Sequence, residues 1–255
     1  MAPNNDMDCL RSCRGQCHLS ECAWSRCTRQ DGFIQTHGTV SPSKMKSADH
    51  ARLLVGLLVA TLAALAVSGW RPYDRVTWWL EVAPVLIALP ILLATRRNYP
   101  LTTLLYVLIF AHALVLILGG AYTYARVPLG AWVQQVFDLS RNPYDKLGHF
   151  MQGFVPAMVA REILMRGGFV RGRRMVGFVC VCIALAISAS YELIEWWAAL
   201  ALGQGAEEFL GTQGDPWDTQ SDIFMALLGS IVALLTLSGV HDRQLKALVP
   251  GRAVE

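Results

Sequence analysis

From residue 53 onward the chain alternates long apolar blocks with short charged or turn-forming stretches. Six blocks reach the roughly 17–25 residues that a helix needs to cross a hydrocarbon core about 30 Å thick. They cover 53–70, 76–95, 101–119, 149–165, 175–201 and 222–240. Inside hydrocarbon each backbone amide must find its partner within its own segment, so the blocks predict helices. A soluble helical bundle would need polar faces, and these blocks lack them. The expected fold is an all-α integral membrane protein, a bundle of six transmembrane helices.

Composition agrees with the pattern. The chain is 54% hydrophobic and 16% charged, against roughly 25% charge in a typical soluble domain. The formal net charge of +3 is too small to point to nucleic acid, and the expected partner is the lipid bilayer. Charge placement carries more information than the total. With the N-terminus inside, the cytoplasmic segments hold thirteen of the eighteen Lys and Arg from Lys44 onward, and the outer segments hold five. The stretch RGGFVRGRRM is the strongest anchor. The positive-inside rule therefore predicts both termini in the cytoplasm.

Residues 1–44 stand apart. They contain five of the seven cysteines, Cys9, Cys13, Cys17, Cys22 and Cys27, without apolar periodicity. The spacing matches no common zinc pattern such as C-x2-C, and no apolar stretch of signal-peptide length follows the early charges. The expectation is a disordered or non-native upstream extension, with translation starting at Met45 and the six-helix membrane domain spanning 45–255.

Two octets stand at the mouths of apolar blocks: NPYDKLGH at 142–149 and DPWDTQSD at 215–222. Each reads Asn or Asp, Pro, aromatic, Asp, three variable residues, then a side chain that binds a proton or a metal. Helix grammar explains the first half: Asn142 and Asp215 as N-caps, Pro143 and Pro216 at the first helical position, and Asp145 and Asp218 as first-turn acids. Tyr144 and Trp217 suit an interfacial aromatic belt. Capping does not explain His149 and Asp222, which lie about two turns further in. Asp145/His149 and Asp218/Asp222 are four apart and Glu192/Glu195 three apart, so each pair shares a helix face.

An ionised carboxylate facing lipid costs on the order of 2.5–3.5 kcal/mol, so such groups face the bundle interior. The predicted topology puts both octets, Glu192, Glu195, His112 and Glu81 in one outward-facing layer. Only Arg161 and Glu162 lie at the inner end. The bland alternative is a set of neutral packing residues, and for His112 a satisfied interhelical donor. The functional reading is a pocket of carboxylates with an imidazole. Such a pocket suits a divalent metal ion, with His149, Glu192, Asp218 and Asp222 as ligands. Without metal it suits general acid/base work by Asp145, His149, Glu192, Glu195 and Asp222. No organic-cofactor motif is present.

The stretches YDKLGHFMQGFVPAMVAREI, SASYELIEWWAALALGQGAEEFLGTQGDPWDTQSDIFMALLG and HALVLILGGAYTYARVP resemble the YjdF-type inner-membrane proteins of bacteria, over nearly everything after Met45. More distantly, the pattern is similar to the VanZ-like group at Asp145, Lys146, His149, Glu192 and Asp222. It departs from that group at Ala226, where Asn is usual. The resemblance implies a multi-pass protein of the bacterial inner membrane.

Three functions compete on these residues. One is an enzyme using metal-assisted or acid/base chemistry on an envelope or lipid-linked substrate. The others are a carrier of a proton, cation or small solute, and a non-catalytic membrane partner or scaffold. The absence of a visible polar path to the inner side weighs against the carrier.

Overall fold

The computed structural model describes residues 42–203 and 212–248. Of the expected extension 1–44, residues 1–41 with all five cysteines lie outside the described residues, and residues 42–44 open the first helix. Seven α-helices and one 3-10 turn make up the described architecture, with no strand among the described residues. They are α1 (Pro42–Trp70), α2 (Arg75–Thr95), α3 (Thr103–Tyr122), the turn Tyr124–Arg126, α4 (Pro128–Val136), α5 (Tyr144–Gly167), α6 (Arg173–Leu202) and α7 (Asp218–Leu248).

Every expected block lies within a helix or reaches just outside one, and most helices run past the block's ends. Asp74 starts α2 by accepting a hydrogen bond from the Thr77 N–H at 2.7 Å. The short helix α4 and its preceding turn fall in a stretch the hydropathy pattern left as a connector. At nine residues, α4 is too short to produce a membrane-length block.

Five helices, α1, α2, α3, α6 and α7, are long and apolar enough to cross a membrane. Only 11% of the most apolar window of α1 and 28% of that of α3 are buried inside the bundle. The outer faces therefore carry apolar surface, including Val67, Phe178 and Leu235, that water would not tolerate in such extent. Helix α5 differs. Its 24 residues are long enough, but Asp145, Lys146, Arg161, Glu162 and Arg166 make it too polar to count among the five. Its position explains this composition: α5 packs against α7 most extensively, then α6 and α3. Surrounded by other helices, its polar groups meet partners rather than lipid.

Two glycines make that central packing possible. A Cβ on Gly153 would collide with the Ala226 carbonyl of α7, and one on Gly229 would collide with the Phe150 carbonyl of α5. The two backbones touch at these points, as small residues allow in membrane helices. Ala226 is fully buried at this crossing, so the small side chain there serves close approach. The remaining core is apolar, with Leu105, Met158 and Ala233 joining α3, α5 and α7.

Candidate functional site

The two octets start their helices by the same device. Asn142 Oδ1 accepts from the Tyr144 N–H at 3.0 Å, and Asp215 Oδ1 from the Trp217 N–H at 2.9 Å. Each is an Asx turn over a proline whose fixed φ suits the bend. The helix boundary is shifted from expectation. Pro143 occupies the N-cap position and α5 begins at Tyr144, because the Asx turn satisfies the first free N–H before the helix proper begins.

The octets are also fastened to each other. The Asn142 N–H donates to Gln213 Oε1 at 2.9 Å, and Gln213 Nε2 donates back to the Asn142 carbonyl at 3.0 Å. Asn142 Nδ2 donates to the carbonyls of Ala125 and Val127, both at 3.1 Å. One buried asparagine thus ties the segment before α4, the start of α5 and the segment before α7.

Two cations draw the acids of both octets together. Arg141 Nη1 reaches Asp218 at 2.6 Å and Asp215 at 3.2 Å, and its Nη2 reaches Asp145 at 3.2 Å. Burial by itself would lower the Arg141 pKa, but the hydrogen bond and charge of Asp218, then Asp145, hold it above its ordinary value. Lys146 Nζ lies 2.8 Å from Asp218, 2.7 Å from Asp222 and hydrogen-bonds Ser221. Lys146 thereby cross-links α5 to α7.

His149 sits beneath this layer, with acceptors around both ring nitrogens. Its Nε2 is 3.5 Å from Asp145 and 3.8 Å from Asp222. Its Nδ1 is 3.2 Å from Gln152 Oε1 and 3.6 Å from Glu192. Two groups therefore share the imidazole: Asp145, His149 and Asp222, and His149, Glu192 and Glu195, the chosen atoms of each group lying within 4.8 Å of one another. Glu192 Oε1 is buried without a hydrogen-bond partner. A cavity of about 20 Å³ opens beside His149, lined among others by Glu81, Tyr124, Gln152, Tyr191 and Glu195. That space suits one water or one ion.

Of the residues expected from sequence, Asp145, His149, Glu192, Glu195, Asp218 and Asp222 come together on α5, α6 and α7. Asp218 is taken up by Arg141 and Lys146, so it falls outside both groups around His149. His112 on α3 is not joined to them, and its Nε2 is buried without a hydrogen-bond partner. Glu81, expected in the same layer, accepts from the Tyr191 hydroxyl at 3.0 Å. Tyr191 and Tyr124 lacked a local signal, and burial together with the Glu81 charge pushes the Tyr124 hydroxyl well above its ordinary pKa. Arg141 is one of the five cations counted only for orientation, yet its spacing four residues before Asp145 was the available clue.

A second polar cluster lies at the other end of α5. Arg161 and Asp145 are sixteen residues apart, roughly 24 Å along a helix. Arg161 donates to His241 Nδ1 at 2.7 Å and pairs with Asp242 at 2.5 Å. Glu162 accepts from the Thr102 hydroxyl at 2.8 Å, from Arg166 at 2.8 Å and from His241 Nε2 at 3.0 Å. The pair expected to stand alone at this end is the centre of a network. His241 and Asp242 escaped notice because they follow the last apolar block.

Comparison with known proteins agrees with this architecture. The profile of the family described as "Predicted membrane protein (DUF2238)" matches residues 53–243. The chain is 60% identical over 195 residues to the inner membrane protein YjdF of Escherichia coli (strain K12), covering 76% of this chain and 93% of that protein. No solved structure matches the chain. With its membrane-length helices, its apolar exterior and this identity over most of its length, the chain is a multi-pass inner-membrane protein and belongs to the DUF2238 family.

Proposed function

We propose that the layer around His149 is a catalytic site that performs metal-assisted or acid/base chemistry on an envelope or lipid-linked substrate. The observation that carries this reading is the convergence of two carboxylate pairs on one buried imidazole. Around it stand Asp145, Asp218, Asp222, Glu192 and Glu195 against the two fixed cations Arg141 and Lys146. That surplus of negative charge, removed from water, is balanced by a bound cation or by protons. The Glu192 oxygen without a hydrogen-bond partner and a one-ion cavity lined by His149 and Glu195 favour His149, Glu192 and Glu195 as the cation's ligands, with Asp222 beyond them on the Lys146 side. A divalent ion there would activate a water or polarise a phosphoryl or glycosyl oxygen.

In the proposed topology α5 joins the five apolar helices as the fourth of six spans along the chain, both termini are cytoplasmic, and the His149 layer faces outward. The bias of thirteen Lys and Arg against five supports it.

The test is metal content of the purified protein, by plasma mass spectrometry, together with the envelope lipid profile of cells. His149→Ala and Glu192→Gln are expected to lower bound metal or alter the profile. If both variants leave metal and lipids unchanged, the catalytic reading fails.

One observation favours a carrier as the second reading. Ionisable groups occupy both ends of α5, and the fully buried Ser188 and Ser230 lie along α6 and α7 between them. Cation or proton flux in proteoliposomes that disappears with His149→Ala and Ser230→Ala would select it.

A further inference from the structure

At the end of the bundle opposite His149, a cavity of about 160 Å³ opens between α5, α6 and α7. Its wall includes Arg161 and Arg173 beside apolar Val176, Leu234 and Leu235. Leu235 is 80% exposed, so the mouth lies on the bundle's outer surface. Gly177 forms part of the wall, and a Cβ there would meet nothing within 4 Å.

The charge at this wall is not closed. Asp242 is bonded through one oxygen to Arg161, at 2.5 Å, and through the other to Arg173, at 2.9 Å. Arginine only donates, so His241 Nδ1 is the acceptor of the Arg161 bond. Its Nε2 then carries the hydrogen given to Glu162, and the imidazole is neutral. Glu162 is matched by Arg166 at 2.8 Å. Two guanidiniums against the single carboxylate of Asp242 leave one positive charge on the cavity wall. Each guanidinium has five N–H donors, of which these partners use two on Arg161 and one on Arg173. A positive charge beside hydrocarbon calls for an anion with its own apolar body.

We propose that this cavity binds an anionic phospholipid, its phosphate against Arg161 and Arg173 and an acyl chain along Leu234 and Leu235. The site is separate from the His149 layer and does not rest on its chemistry. Charge complementarity selects the anionic headgroup, and the apolar wall selects a lipid over a free phosphate.

The test uses the full chain purified in detergent, offered phosphatidylglycerol and phosphatidylcholine together and read by native mass spectrometry. The wild-type protein is expected to retain phosphatidylglycerol preferentially. Arg173→Ala removes a guanidinium that is 58% exposed and is expected to reduce that preference about fivefold, the worth of one basic group near anionic lipid. Gly177→Leu fills the open space without touching an ion pair, and is expected to reduce retention by at least as much. Equal retention of the two lipids by the wild type overturns the proposal, as does wild-type retention by both variants. Complete displacement of phosphatidylglycerol by millimolar inorganic phosphate overturns the lipid assignment in favour of a soluble anion.

Discussion

Replacing Lys146 by Met keeps the length of the side chain and removes the ammonium that joins α5 to α7. The cost falls on Asp222. Asp218 keeps Arg141 at 2.6 Å, whereas Asp222 loses its contact at 2.7 Å and retains only His149 at 3.8 Å. The Asp222 side chain is 2% exposed and that of Lys146 is 19% exposed. Breaking a buried ion pair by removing one partner costs about 3–5 kcal/mol, and the partial exposure of Lys146 places this case near the lower bound, about 3 kcal/mol. Removing both charges relieves the penalty, so Lys146→Met combined with Asp222→Asn is expected to be more stable than Lys146→Met alone. The measurement is reversible unfolding by SDS titration in mixed micelles for the four members of the cycle. A loss under about 1 kcal/mol for Lys146→Met, or a double variant no better than the single, would refute the claim that Lys146 neutralises Asp222 inside the bundle.

Glycine substitutions test the central crossing: Gly153→Ala, pressed onto the Ala226 backbone, is expected to cost about 3 kcal/mol or more, because overpacking against main chain has no side chain to move. Gly56→Ala, where a Cβ meets nothing, is expected to be neutral or to stabilise by up to about 1 kcal/mol, and melting curves in detergent distinguish the two. Orientation is testable with alkaline-phosphatase fusions, which fold only outside the cytoplasm. A fusion after Asp138 is expected to be active and one after Arg171 inactive, and the reverse pattern would invert the proposed topology.

The helices were legible because a membrane span must satisfy its backbone locally, so a block of about 20 apolar residues predicts a helix whatever surrounds it. The pairings Asp145/His149, Asp218/Asp222 and Glu192/Glu195 were legible for the same local reason, since helical spacing puts them on common faces. Nothing local marks Gly153 and Gly229 as contact points while Gly56 and Gly239 meet open space. Which glycine touches a neighbour depends on how two helices are rotated about their axes. That rotation is decided by packing across the bundle.

The same distinction governs the site. By itself the sequence determined the helical class, the membrane setting and which acids and histidines share a helix face, because these depend on residues within a few turns of each other. Only the tertiary structure decided that Arg141 and Lys146 already hold Asp218, that Tyr191 meets Glu81 across 110 residues, and that His241 meets Glu162 across 79. It also left His112 outside the groups around His149. Each of those outcomes turns on hydrogen-bond and ion-pair distances between separate helices, which a shift of one residue in packing would abolish.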